Sequence, residues 1–275
     1  MYQAEFESRP IELRIAVQPH GQRAPEPAFR SQRHMFLIVA DRDNFAAYDS
    51  EKLFGYAFVS QKTAVDHAWF RFHFLETMAY MLLAQESIMP VHAACVAHGE
   101  TGVMLYGLSG AGKSTLAWAC ARAGWTYVTD DGVWLLPHST GREVRGRCRQ
   151  ARFRSDARQL FPELAEYLER TVPSGKVSVE VPLSAFPQIR TADRCRVGCV
   201  IVLDRQSGAR ARVEAIPAEE PLGLLLRDMP WYGEEVRARY ERTARKLLEV
   251  PAWRLTYEDL GEAVTLLTEL ASGLR

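Results

Sequence analysis

An α/β fold, with a mixed β-sheet and flanking helices, is what this sequence predicts, and three observations carry the prediction. From residue 89 onward, short apolar runs of strand length alternate with longer stretches of helical period. The glycine-rich segment Gly107-Leu-Ser-Gly-Ala-Gly-Lys-Ser-Thr115 stands between one such run and one such stretch. The chain of 275 residues, 47% hydrophobic and 25% charged, also has a globular composition and enough length to bury a large core.

The elements follow in order. Residues 1–34 are polar, with prolines scattered among arginines, and suggest one alternating strand over Ile11 to Val17 followed by an irregular loop. Strands are predicted at Met35 to Ala40 and around Leu53 to Ser60. From Asp66 to Gln85 there is no Gly or Pro, and Phe70, Phe74, Met78, Met81 and Leu82 recur at helical spacing, which predicts an amphipathic helix whose stripe is core. These elements make residues 1–88 a small N-terminal α+β extension, an accessory region.

After Pro90, Val91 to Ala97 and Gly102 to Tyr106 read as neighbouring strands joined by a tight turn. The glycine-rich segment opens a helix that stops at Gly124, and a strand follows over Trp125 to Asp131. Val197 to Asp204 reads as a buried strand. Glu234 to Val250 reads as a helix facing inward through Val236, Tyr240, Ala244 and Leu247, and Glu258 to Leu274 as a last amphipathic helix.

Charge narrows the function classes. Thirty-four Lys plus Arg balance thirty-four Asp plus Glu, so bulk charge gives no hold on nucleic acid or an anionic membrane. The five cysteines form neither a C-x-x-C pair nor a disulfide framework and read as reduced, mostly buried thiols. The start of the chain carries no signal-peptide apolar stretch, and no run reaches the ~18 apolar residues of a membrane span. A cytoplasmic location is expected.

The strongest chemical signal is the segment from Gly107 to Thr115, which fits G-x-x-x-x-G-K-[ST]. Gly107, Gly110 and Gly112 let the backbone curl so that its N–H groups, with those of Ser109 and Ala111, point at a phosphate. The helix starting at Lys113 adds its positive end, the Lys113 ammonium bridges β- and γ-phosphates, and the hydroxyl of Ser114, next to Thr115, ligates Mg²⁺. ATP and Mg²⁺ are the expected ligands.

Two acids compete to hold the metal or take a proton. Asp130-Asp131 follows the strand after the loop helix, while Asp204 ends the apolar run Val200 to Leu203 like an ordinary Walker B carboxylate. Adjacent carboxylates are costly without a metal or cation between them, which makes the pair the more suggestive candidate; the alternative is that they cap a turn. His92 is a core residue of its strand or a site residue, and the sequence leaves both open. Seven arginines lie between Arg142 and Arg158, with Arg145, Arg147 and Arg149 at period two. They read as one face of a strand, either a solvated edge or a docking surface for the acceptor.

Together, Val91-His92-Ala-Ala-Cys95-Val, GLSGAGKST and Val128-Thr-Asp130-Asp131 resemble the catalytic domain of HPr kinase/phosphorylase and its relatives, serine kinases that share a fold with phosphoenolpyruvate carboxykinase. The resemblance implies that residues 89–275 form a P-loop kinase core, with Asp130 taking the proton from the attacking hydroxyl, His92 nearby, and Asp131 helping to hold Mg²⁺. It also implies a protein or peptide phosphoacceptor. Ser174-Gly175-Lys176 looks like a lysine-bearing position of some relatives, whereas Thr115 stands where many HPr kinases carry Glu. The rival class is an ATP-binding switch or accessory protein without efficient phosphoryl transfer. Acceptor identity, a homo-oligomeric state and pathway are not written in these residues.

Overall fold

The computed structural model describes residues 9–137, 142–171, 175–229 and 233–274. The fold is mixed α/β with several sheets. Internal contacts divide the chain into two units, Met1–Ile88 with Pro173–Gly175, and Met89–Val172 with Lys176–Arg275.

In the first unit, a five-stranded sheet runs in the order Glu12–Gln18, Phe54–Ser60, Asn44–Asp49, Met35–Asp41, Ala28–Gln32. The first pair is parallel and the rest antiparallel. Strand alternation buries Phe36 and Ile38 and turns Leu37 and Val39 outward. Two strands were not expected from the sequence. Ala28–Gln32 is exposed along its whole length, so it carries no buried face to betray it, and its backbone pairing with Met35–Asp41 alone defines it.

The predicted helix begins earlier than Asp66 and is segmented. Ser60 caps Gln61–Val65 by accepting from the Thr63 N–H at 3.2 Å, and Asp66 caps His67–Phe70 by accepting from Trp69 at 3.2 Å. A π-helical turn at Arg71–Glu76 then shifts the stripe, so that neighbouring His73 and Phe74 are both buried before Thr77–Glu86 continues.

The second unit is built on a ten-stranded sheet. Its central run is Thr126–Thr129, Ala94–His98, Thr101–Tyr106, Arg194–Arg205, Ala252–Tyr257, with the last three parallel. Arg194–Arg205 is long enough to serve two ladders, its beginning pairing with Glu143–Gly146 and its end with Ala252–Tyr257. Helix Lys113–Arg122 packs Leu116, Ala117, Trp118, Cys120 and Ala121 between this sheet and helix Leu260–Gly273. A smaller sheet, Gln150–Phe153, Val177–Pro182 and Glu169–Thr171, joins the same core through Phe153, Val179 and Val181.

Two expectations are corrected here. Val91 to Ala97 is not one strand: Met89–Val91 and Ala94–His98 belong to different ladders, and the Ala93 N–H donates to Val91 O at 2.9 Å across the break. Nor do Arg145, Arg147 and Arg149 line one strand face, because the strand stops at Gly146 and the chain turns at Cys148 and Arg149. A Cβ at Gly146 would stand 2.6 Å from Val128 O, so this glycine marks a close crossing of backbones. Among the described residues no helix is long and apolar enough to cross a membrane.

Candidate active site

The strand Thr101–Tyr106 is buried from Gly102 to Tyr106, and the chain leaves its C-terminal end as the exposed loop Leu108-Ser109-Gly110. Gly110 and Gly112 take φ of +92° and +93°, the left-handed region where a side chain costs energy. A Cβ on Gly112 would also stand 2.5 Å from the Tyr257 hydroxyl, which itself donates to Ala111 O at 3.2 Å. The loop is thus pinned from beneath by the last residue of Ala252–Tyr257.

Helix Lys113–Arg122 starts directly after Gly112, and its first turn carries Ser114 and Thr115. Lys113 is buried, and its Nζ donates to Gly107 O at 2.7 Å and Leu108 O at 3.3 Å. Among the described residues no carboxylate forms an ion pair with it, and burial lowers its pKa. An ammonium inside a glycine loop, at a helix N-terminus and facing only neutral carbonyls, is an anion-binding arrangement.

The acid pair sits just past Thr126–Thr129, where the two carboxylates have different environments. Asp130 is 4% exposed. Its Oδ1 accepts from the Tyr127 hydroxyl at 2.7 Å and its Oδ2 from the Arg152 backbone N–H at 3.0 Å. Burial pushes its carboxyl up to about 6, against the lowering effect of those two bonds. Asp131 is exposed, and its Oδ1 lies 3.2 Å from His92 Nδ1, which is also 2.9 Å from Asp131 O. Because Nδ1 faces oxygens only, it carries the proton and donates, and that hydrogen bond holds the Asp131 carboxyl below its ordinary value. The Ser114 hydroxyl reaches Asp130 O at 3.4 Å, joining the loop helix to the acid pair.

His92 is therefore an exposed side chain at the strand break, in contact with Asp131. Asp204 is placed elsewhere, accepting from Gln206 Nε2 at 2.7 Å. Gly175 and Lys176 precede strand Val177–Pro182, while Ser174 lies outside the described residues.

Several residues reach this site without a sequence signal that singled them out. Arg154 Nη2 donates to Ser109 Oγ at 3.0 Å, and its Nη1 lies 3.6 Å from where a Cβ on Gly110 would stand. Arg152 donates to Glu180 at 2.7 Å and lies 3.9 Å from Asp131 Oδ2. Asp228 accepts from the hydroxyl of Tyr106, the residue before the loop, and lies within electrostatic reach of Lys113 and His92.

No protein-family model matches this chain, and no curated protein matches it. Among solved structures it is similar to the Hpr(Ser) kinase/phosphatase from Coxiella burnetii, at 15% identity and a TM-score of 0.33, covering 67% of this chain and 99% of that one.

Proposed function

We propose that this chain is an ATP-dependent serine kinase of the HPr kinase-like type, its P-loop core in residues 89–275 moving the γ-phosphoryl group of ATP to a hydroxyl of a protein or peptide. One observation carries the reading: the buried Lys113 ammonium, held only by neutral carbonyls inside the loop, is linked to the acid pair through the Ser114 hydroxyl. An anion-binding loop beside a buried carboxylate supplies what phosphoryl transfer needs, charge stabilisation at the phosphate and a proton acceptor at the nucleophile.

The loop N–H groups and Lys113 bind the phosphates, and Arg154 adds a second cation at Ser109. Asp130 accepts the proton as the hydroxyl oxygen attacks the γ-phosphorus and the bond to the bridging oxygen breaks, releasing ADP. Each oxygen of its carboxylate accepts one hydrogen bond and keeps a lone pair, and a pKa of about 6 suits a base that is ionised at neutral pH. His92 orients Asp131.

The donor set at the Asp131 end fits Mg²⁺. The Ser114 hydroxyl makes only a long bond, and Asp131 offers an exposed carboxylate oxygen. Mg²⁺ takes one or two protein oxygens and leaves the rest to phosphate and water. When bound, it neutralises phosphate charge.

The test is incubation with γ-labelled ATP, Mg²⁺ and candidate acceptor proteins. Label on a serine in the parent, lost in Asp130→Asn with ATP binding retained, is the expected result. Transfer that persists in Asp130→Asn and stops in Asp204→Asn would overturn the assignment.

A further inference from the structure

The proposed chemistry leaves one cavity of the second unit unused. It holds ≈ 600 Å³ at the C-terminal ends of the parallel strands Arg194–Arg205 and Ala252–Tyr257, a size that suits a small ligand. Its walls include Arg205 and Arg210 after the first strand, Glu258 and Leu260 after the second, and Leu160.

Sheet order relates this cavity to the loop. On one side of the loop strand Thr101–Tyr106 lie Ala94–His98 and then Thr126–Thr129, which leads to the acid pair; on the other lie the two strands that end at the cavity. A triphosphate laid along the loop with its γ end at Asp130 and Asp131 therefore sends its other end toward the cavity. The two are contiguous: Arg205 Cδ stands 4.0 Å from where a Cβ on Gly112 would be, and the Tyr257 hydroxyl holds Ala111 O.

The wall chemistry points to a flat, polar-edged group. Glu258 is occupied by the Gly208 N–H at 2.6 Å and Glu262 by the Ala211 N–H at 3.0 Å, so these acids brace the turn. Arg205 and Arg210 have no acidic partner among the described residues, and Leu160 is 44% exposed. Guanidinium planes stack on aromatic rings, and an exposed leucine covers a ring face. We infer that this cavity seats the nucleoside of the triphosphate gripped by the loop, an assignment that rests on the reading of the loop as an ATP site.

Titration calorimetry on the full chain, with MgATP and with magnesium tripolyphosphate, tests this. In the double variant Leu160→Ser, Arg210→Gln, ATP affinity should fall about tenfold while tripolyphosphate affinity stays within about twofold, since the latter lacks a nucleoside. Both positions are exposed, and unchanged tripolyphosphate binding also reports an intact loop. ATP affinity unchanged in this variant but reduced in Lys113→Ala overturns the nucleoside assignment and leaves the loop reading standing. ATP affinity unchanged in Lys113→Ala removes both.

Discussion

His92 donates from Nδ1 to Asp131, 3.2 Å from Oδ1, and so turns one carboxylate of the acid pair toward solvent while its neighbour Asp130 is buried. The contact holds the Asp131 carboxyl low, so His92→Ala should move its titration upward, toward the ordinary carboxylate range. Asp131 stays ionised at neutral pH either way, which makes the histidine an orienting group there and not a switch of charge. Carbon-detected NMR titration of Asp131 reads the shift; an unchanged titration in the alanine variant would show that the hydrogen bond does not operate in solution.

Asp130 predicts a pH dependence of opposite sense. Its carboxyl stands at about 6 in the fold against 3.8 as an ordinary value, because burial disfavours the charged form. As a base it is protonated when pH falls through about 6, so kcat/KM should drop about tenfold per unit below that point. For stability, a raised folded pKa favours the native state fully below 3.8, and the benefit is lost as pH rises through about 6. That loss amounts to about 3 kcal/mol at ~1.4 kcal/mol per unit. Urea unfolding at pH 4 and pH 7.5 should show this difference between parent and Asp130→Asn; matching pH slopes would contradict it.

The loop was legible because its information is local: glycines at fixed spacing, then Lys113 and Ser114, then a helical run. The acid pair was legible as a pair, but its division of environment was not. Tyr127 comes from the same strand, whereas the Arg152 N–H comes from Gln150–Phe153, and only the packing of that second sheet sets it against Asp130. The arginine-rich stretch was noticed for the wrong members, since period two assumed a strand that runs on past Gly146. Where the backbone instead crosses close to Val128, Arg145 faces Asp193, and Arg152 and Arg154 are the ones at the site.

Trp118 ties the loop helix to that second sheet. It is fully buried, edge-on to Phe153 at 5.5 Å and Phe186 at 5.1 Å, with Tyr127 at 6.4 Å. Trp118→Ala empties a well-packed site and should cost about 3–5 kcal/mol of stability. It should also lower turnover, since Tyr127 positions Asp130. The urea midpoint is expected to fall with the slope unchanged; a midpoint shift equivalent to less than about 1 kcal/mol would mean the core collapses around the gap.

Arg154 is expected to separate binding from turnover. Its guanidinium reaches Ser109 and the space over Gly110, and among the described residues no carboxylate forms an ion pair with it. Lys113, by contrast, is folded into the loop and meets phosphate from within. A cation held at the outer lip by a neutral hydroxyl is free to follow charge as it builds on the transferred group, which is where an arginine contributes most. Arg154→Gln keeps a donor for Ser109 and removes the charge, so kcat should fall about a hundredfold, with KM for ATP changed less than about threefold. Lys113→Ala should instead weaken ATP binding by at least about tenfold, or ~1.4 kcal/mol. Arg145, spent on Asp193 at 3.5 Å, serves as the control, and Arg145→Gln should leave both constants near the parent values. Equal losses in Arg154→Gln and Arg145→Gln would mean that only the general positive charge of this segment matters, and that Arg154 has no particular role at the loop.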